Sequence, residues 1–232
     1  MSGNASIRLI TFDLDDTLWP VAPVIVRAEH RMRDFLDQHA PEVYRRLDRD
    51  DFARIREAVL EKQPALLHDI STLRRDVLKE ALRTCGYADV DALAAGAFAA
   101  FLDARHDIEY FEDALDTLEL LSRRFTLAAL SNGNADVARL GLDRYFAFHL
   151  SAERVGRRKP HPEMFERALQ EAGIGADAAV HVGDHADDDI RGANQVGMAT
   201  VWVNRSGTPW DLEDVTPTWE IRTLKELPAL LV

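Results

Sequence analysis

The sequence predicts an α/β fold in which a parallel sheet core of about five strands is interrupted once by a helical bundle. Three observations lead there. Short apolar runs that stop abruptly at polar residues recur at residues 7–12, 125–130 and 179–182, the pattern of strands buried on both faces. After about residue 112 such runs alternate with segments of helical spacing, as strands joined by crossover helices do. Between about 20 and 108 only helical spacing is found.

The first run ends at Asp13-Leu14-Asp15-Asp16-Thr17-Leu18, so Asp13 stands at the carboxyl end of a strand, where open α/β sheets place their ligands. If the backbone stays extended, Asp13 and Asp15 project to the same side and share a crevice, while Asp16 faces away. Trp19, Pro20 and Pro23 then break the strand pattern. Val24, Ile25, Ala28, Met32, Phe35 and Leu36 mark a first helix, and Phe52, Ile55 and Val59 a second behind a cap at Asp50. A third helix carries Ile70, Leu73, Val77, Leu78 and Leu82 to an end near Gly86, and a fourth carries Val90, Leu93, Ala97, Phe98, Phe101 and Leu102. The predicted boundaries are residues 1–19 and 109–232 for the α/β core and 20–108 for the inserted bundle. An insertion leaving the core so soon after Asp13 is placed to act as a cap that excludes water and contacts substrate.

Leu115, Leu118 and Leu121 open the second part of the core as a helix, and residues 125–130 form a strand ending at Ser131-Asn132-Gly133. A short third strand covers 148–150. A basic loop over 154–159 leads through Pro160-His161-Pro162 into a helix with Met164, Phe165, Ala168 and Leu169, its proline near the first turn. The strand at 179–182 is cut off by Gly183-Asp184, and a helix over about 188–196 precedes a fifth strand at 199–203. Residues 204–218 read as a turn-rich loop and 223–230 as a short closing helix. Trp202, Trp210 and Trp219 read as packing residues.

The formal net charge of -12 and the pI near 5.1 argue against a basic face for nucleic acid or anionic membrane, although part of the acidity is local to the segments 13–16 and 184–189. The single cysteine, Cys85, has no partner for an internal disulfide and reads as a small apolar residue in a helix. Residues 1–6 lack the basic-then-apolar pattern of a leader, and no apolar run approaches membrane-spanning length, so the expected location is cytoplasmic. Oligomeric state is not legible.

Polar groups thus fall at the ends of successive elements: Asp13 and Asp15, then Ser131, then Lys159, then Asp184 with the acids through Asp189. This ordered set resembles the four signature motifs of the haloacid dehalogenase-like hydrolase superfamily. The first stands here as Asp13-Leu14-Asp15-Asp16-Thr17, the second as Ser131, the third as Lys159, and the fourth as Gly183-Asp184 followed by Asp188 or Asp189. The resemblance spans the chain and implies a Rossmann-like core with a helical cap inserted after the first motif. Relatives often carry Asn-Asp where this chain has Asp188-Asp189, which leaves the supporting acid open between the two, with Asp189 favoured.

The chemistry of these residue types agrees with the resemblance. Asp13 is the candidate nucleophile, forming an aspartyl-phosphate, and Asp15 the general acid and base, a role that needs a raised pKa. Two unit charges about 4 Å apart at an effective dielectric of about 20 interact by about 4 kcal/mol, so a phosphate dianion entering this acidic crevice demands a cation. Mg²⁺ suits oxygen ligands, and the resemblance assigns it to the Asp13 carboxylate, the Asp15 carbonyl and Asp184. His181 and His185 invite a zinc reading, but the hard aspartates and the lack of a cysteine pair favour Mg²⁺. Lys159 and Ser131 would hold the phosphate, with Thr17 and Asn132 in support. Asp16 drops out of the chemistry.

The dehalogenase branch lacks a second aspartate in the first motif, so Asp15 points to phosphate ester hydrolysis of a small phosphorylated metabolite. Phe12 to Leu18, His68-Asp69, Ser131 to Asn134, Lys159-Pro160 and Gly183-Asp184 most resemble bacterial riboflavin-pathway phosphatases. That resemblance implies flavin mononucleotide (FMN) or 5-amino-6-(5-phospho-D-ribitylamino)uracil as substrate. A nucleotidase, a sugar or sugar-acid phosphatase, and a non-catalytic binding relative are the alternatives. Substrate choice is assigned to His68, Asp69, Thr72 and Arg75, which cluster near one helix start in the bundle.

Overall fold

The computed structural model describes residues 6–231, so the leader reading, which rests on the first residues, falls almost wholly outside it. Six strands form one Rossmann-like sheet in the order β3-β2-β1-β4-β5-β6, each neighbouring pair parallel. They are β1 (Leu9–Phe12), β2 (Thr126–Ser131), β3 (Phe148–Ser151), β4 (Ala179–Gly183), β5 (Ala199–Val203) and β6 (Trp219–Ile221). About five were expected. The sixth is a three-residue strand at the sheet's edge, too short to raise an apolar run above the turn residues before it.

Strand β1 is fully buried, with Leu9, Ile10, Thr11 and Phe12 all at 0% exposure, which is why its sequence lacks alternation. Its last residue, Phe12, sits opposite Ala129 of β2 and Val182 of β4. The chain goes from β1 to β2 on one side and later to β4 on the other. The sheet order therefore reverses beside β1, and the residues after β1, β2 and β4 gather at that switch point.

The chain divides into two compact units, one holding the chain up to Pro20 and from Glu109 onward, the other Val21–Ile108. The second contains helices α1 (Val21–His39), α2 (Glu42–Arg46), α3 (Arg49–Lys62), α4 (Ile70–Thr84) and α5 (Val90–Arg105). Ala28, Leu36, Leu78, Leu82, Ala94 and Phe101 form its apolar centre. Gly96 lets α1 and α5 approach, because an added Cβ would fall 2.3 Å from the Phe35 ring. The cap of α3 is Asp48 rather than Asp50. Its carboxylate accepts from the N–H groups of Asp50 and Asp51, and Asp51 reciprocates to the Asp48 N–H, a box that Asp50 inside the first turn cannot make. Cys85 lies just past the end of α4, buried as a small apolar residue.

In the first unit, α6 (Ala114–Ser122), α7 (Ala152–Val155), α8 (Pro162–Ala172), α9 (Gly192–Gln195) and α10 (Leu227–Leu231) accompany the sheet. Met164, Phe165 and Ala168 of α8 pack with Leu9, Ala128 and Leu130. Two expectations shift here. The basic loop starts later than residue 154, because Ser151 caps α7 by accepting the Arg154 N–H. The helix expected over 188–196 begins earlier, as a π-helical turn over Ala186–Arg191 that continues into α9. Trp202 and Trp210 pack edge to face at 4.8 Å between ring centres.

Candidate active site

Beyond β1 the backbone does not stay extended. Asp16 takes a left-handed conformation with φ of 58°, and the chain folds back so that the Asp16 N–H donates to the Trp19 carbonyl and the Leu18 N–H to the Leu14 carbonyl, each at 2.8 Å. The Asp15 carboxylate accepts from the Trp19 indole N–H at 2.9 Å. The carboxylates grouped with Asp13 among the described residues do not include that of Asp15. Asp13 instead clusters with Asp184 and Asp189, whose carboxylate oxygens lie within 4.8 Å of one another.

Lys159 is buried at 1% exposure, and its Nζ donates to Asp13 Oδ1 at 2.6 Å and to Asp189 Oδ1 at 2.5 Å. Its main chain is held from β2's end. The Lys159 N–H donates to Asn132 Oδ1 at 2.7 Å, and Asn132 Nδ2 donates to the Lys159 carbonyl and to Asp188 Oδ2. Ser131 ends β2 with its Oγ accepting the Gly133 N–H at 2.9 Å, which leaves its own proton available to a ligand. Asp184 accepts the Thr17 hydroxyl through Oδ1, and its carbonyl accepts the Trp202 indole N–H.

The two neighbouring acids separate. Asp189 turns inward, accepting Lys159 and His181 Nε2 on Oδ1 and the His185 N–H on Oδ2, whereas Asp188 faces Asn132 and Arg158. Gly183 makes room for Asp189, since an added Cβ would fall 2.3 Å from that carboxyl group. His181 Nδ1 meets the Thr11 hydroxyl at 2.8 Å, and its ring packs edge to face on Phe165.

Burial raises the Asp13 pKa well above its ordinary value, and the charges of Asp189 and Asp184 add to the rise against the pull of Lys159. Asp184 is pushed up to about 7 by burial and by Asp189. Burial opposes ionisation of Asp189 too, but Lys159 and His181 overcome it and hold that carboxyl well below its usual range. Burial alone would favour neutral Lys159; its two carboxylate partners reverse this and keep it an ammonium. Burial lowers the His181 pKa, so we take its imidazole as neutral and its bond to Asp189 as a neutral N–H donation.

Asp13, Asp184 and Asp189 are three crowded carboxylates with one ammonium, Lys159, shared between Asp13 and Asp189. That all-oxygen donor set suits a hard divalent cation. His181 has both ring nitrogens engaged, and His185 Nδ1 accepts the Asp188 N–H, so neither offers an easy zinc ligand.

The residues assigned to substrate choice lie together in the helical unit. Asp69 caps α4 by accepting the Thr72 N–H at 2.8 Å, and Arg75 donates to the Thr72 hydroxyl at 3.1 Å and lies over the Phe98 ring. His68 ends the short 3₁₀ turn before them. Three site neighbours escaped the sequence reading, Thr11, Trp19 and Trp202, and His181 entered it only as a zinc ligand set aside. Thr11 and His181 were detectable as polar residues inside otherwise apolar strands, and they are register partners. The indole donations of Trp19 and Trp202 had no sequence signal.

A family model described as haloacid dehalogenase-like hydrolase matches residues 7–197. The 5-amino-6-(5-phospho-D-ribitylamino)uracil phosphatase YigB of Escherichia coli (strain K12) is 34% identical over 224 residues, covering 95% of this chain and 91% of that protein. Glyceraldehyde 3-phosphate phosphatase of Methanopyrus kandleri is 31% identical, covering 95% of each chain. Among solved structures, one described as a 2-haloacid dehalogenase from Pseudomonas syringae pv. Tomato DC3000 superimposes with a TM-score of 0.94 at 47% identity, covering 97% of this chain and 98% of that one.

Proposed function

The chain belongs to the haloacid dehalogenase-like hydrolase family, and from that premise we propose that it is a Mg²⁺-dependent phosphatase of small phosphorylated metabolites. The observation that carries the reading is the Lys159 ammonium set between Asp13 and Asp189 at the switch point of the sheet. A carboxylate with a fixed cation beside it suits attack on a phosphoryl group whose own oxygens need neutralising.

One oxygen of Asp13 takes Lys159 and the other attacks phosphorus, while the bond to the leaving oxygen breaks. Asp15, oriented by Trp19, gives its proton to the departing alkoxide and then removes one from the water that attacks the aspartyl-phosphate. That second attack releases phosphate and restores the Asp13 carboxylate. Ser131 and Lys159 hold the non-bridging oxygens. Asp13, Asp184 and the Asp15 carbonyl would hold Mg²⁺, which supplies charge neutralisation that lets a dianion approach. Thr17 and Trp202 fix Asp184, and Asn132 fixes Lys159. The helical unit acts as the cap that selects substrate, with His68, Asp69, Thr72 and Arg75 as its contributors. A cytoplasmic location fits this role; no helix among the described residues is long and apolar enough to cross a membrane.

For the substrate, the likeness to YigB along nearly the whole chain supports 5-amino-6-(5-phospho-D-ribitylamino)uracil or FMN. A second reading, hydrolysis of 2-haloacids, draws on the solved structure described as a dehalogenase. Asp15 argues against it, because a departing halide needs no proton whereas an alkoxide does. The test is kcat/KM with Mg²⁺ for both flavin-pathway compounds, a nucleotide panel, glyceraldehyde 3-phosphate and (S)-2-chloropropionate. The proposal expects a flavin-pathway ester to lead by at least about tenfold, or about 1.4 kcal/mol. Release of chloride with no phosphatase activity would overturn it.

A further inference from the structure

We infer that His181 is a positioning residue that holds Asp189 so that the Lys159 ammonium stays aimed at the reacting phosphoryl group. The inference rests on the phosphatase reading and adds to it a residue outside the four motifs. His181 lies within β4 at 0% exposure, one strand away from Thr11 and eight residues before Asp189. A fully buried imidazole needs partners on both nitrogens, and it has them: Thr11 Oγ1 on Nδ1 at 2.8 Å and Asp189 Oδ1 on Nε2 at 3.1 Å.

The direction of each bond follows from the acid at one end. An ionised carboxylate only accepts, so the proton sits on Nε2 of His181 and points at Asp189. Nδ1 of the neutral ring is then the acceptor, and the Thr11 hydroxyl donates to it at 2.8 Å in preference to the Val180 carbonyl at 3.4 Å. Thr11, His181, Asp189, Lys159 and Asp13 form one chain of side-chain hydrogen bonds across β1 and β4. Two of the three Lys159 N–H bonds go to carboxylates, and the third is left for a substrate oxygen. Asp189 Oδ1 receives both Lys159 and His181. Without the imidazole, that carboxylate keeps only Lys159 and the His185 N–H, and it can swing away and take the ammonium with it. Phe165, stacked edge on against the ring, keeps the imidazole from turning.

Three substitutions separate positioning from packing. His181→Phe fills the ring's place without a donor, His181→Gln carries an amide N–H to about the reach of Nε2, and His181→Asn carries one too short to arrive. With p-nitrophenyl phosphate and saturating Mg²⁺, kcat should fall at least tenfold in His181→Phe and His181→Asn with KM changed by less than threefold. His181→Gln should recover to within threefold of the parent. Full kcat in His181→Phe would overturn the inference, as would equal loss in Gln and Asn; if His181→Phe does not fold, the Gln and Asn pair decides. Nitrogen-15 spectra of the parent protein's histidines give the answer independently of turnover, with a proton expected on Nε2 and none on Nδ1 of His181. A proton on Nδ1 with none on Nε2 would sink the inference even in an active enzyme. A parent protein with the expected tautomer but no phosphatase activity would instead refute the functional reading.

Discussion

The two units place their polar groups in opposite ways. In the unit built on the sheet, Thr11, Asp13, Thr17, Asp113, Ser131, Lys159, His181 and Asp189 are all buried, and most are gathered where β1, β2 and β4 end. In the helical unit Arg105 is the single charged residue among the buried side chains described, and the interior is aliphatic and aromatic. Its ion pairs, such as Arg83 with Glu80 and Arg45 with Glu42, stay at the surface. Burying charge is costly without partners, so the sheet unit holds its charges only by linking them, and that network carries the proposed chemistry. Apart from Arg105, the helical unit buries no charge among the described residues and is stabilised by packing.

The largest effect expected from breaking this contrast is on turnover. Asp13→Asn removes the attacking oxygen while preserving shape, and kcat should drop by about 10⁴-fold or more. Far-ultraviolet circular dichroism should remain that of the parent. Hydrolysis at the parent rate would remove Asp13 from the mechanism. Next comes Lys159→Met, which leaves Asp189 and Asp13 buried without their cation and should lower unfolding free energy by about 3–5 kcal/mol in urea. A loss below about 1 kcal/mol would mean water reaches those carboxylates.

The same contrast explains what could be read from the sequence. Five strands, the helical insertion and the placing of Asp13, Ser131 and Asp184 just at or after strand ends were legible because burial on both faces and strand ends leave direct marks: unbroken apolar runs cut off by polar residues. Strand β6 left none, being three residues long at an edge. The choice between Asp188 and Asp189 depended on which way a π-helical turn points each side chain, and adjacent identical residues carry no such information. The left-handed turn at Asp16 was hidden because aspartate, unlike glycine, does not advertise a positive φ. Asp15's attachment to Trp19 followed from that turn.

In the helical unit the counterpart experiment is apolar. Leu82→Ala removes a side chain at 0% exposure from the centre of the bundle and should cost about 2–5 kcal/mol in equilibrium unfolding, with no dependence on metal or on pH between 5.5 and 8. A pH-dependent cost would show that charge matters there as well.

The smallest effect is a linkage that only the sheet unit should display. Asp184 titrates near 7 when folded but in the ordinary carboxylate range when unfolded. Between those values the folded state binds the extra proton, so this group's contribution to stability falls as pH rises, by at most about 1.4 kcal/mol per pH unit. Asp13, also raised, has the same sign, whereas the lowered pKa of His181 gives the opposite slope below the ordinary histidine range. Comparing the parent with Asp184→Asn in chelator isolates Asp184 together with the part of the Asp13 rise that Asp184 causes, which has the same sign. The stability difference, parent minus variant, should decrease steadily from pH 5.5 to 7.5 and level off above. Adding Mg²⁺ should reverse the trend, because the cation competes with the proton for the same carboxylate and binds better as pH rises. A difference that stays flat in chelator would mean that Asp184 is ionised throughout, and that the crowding of carboxylates at the end of β4 is relieved without a metal.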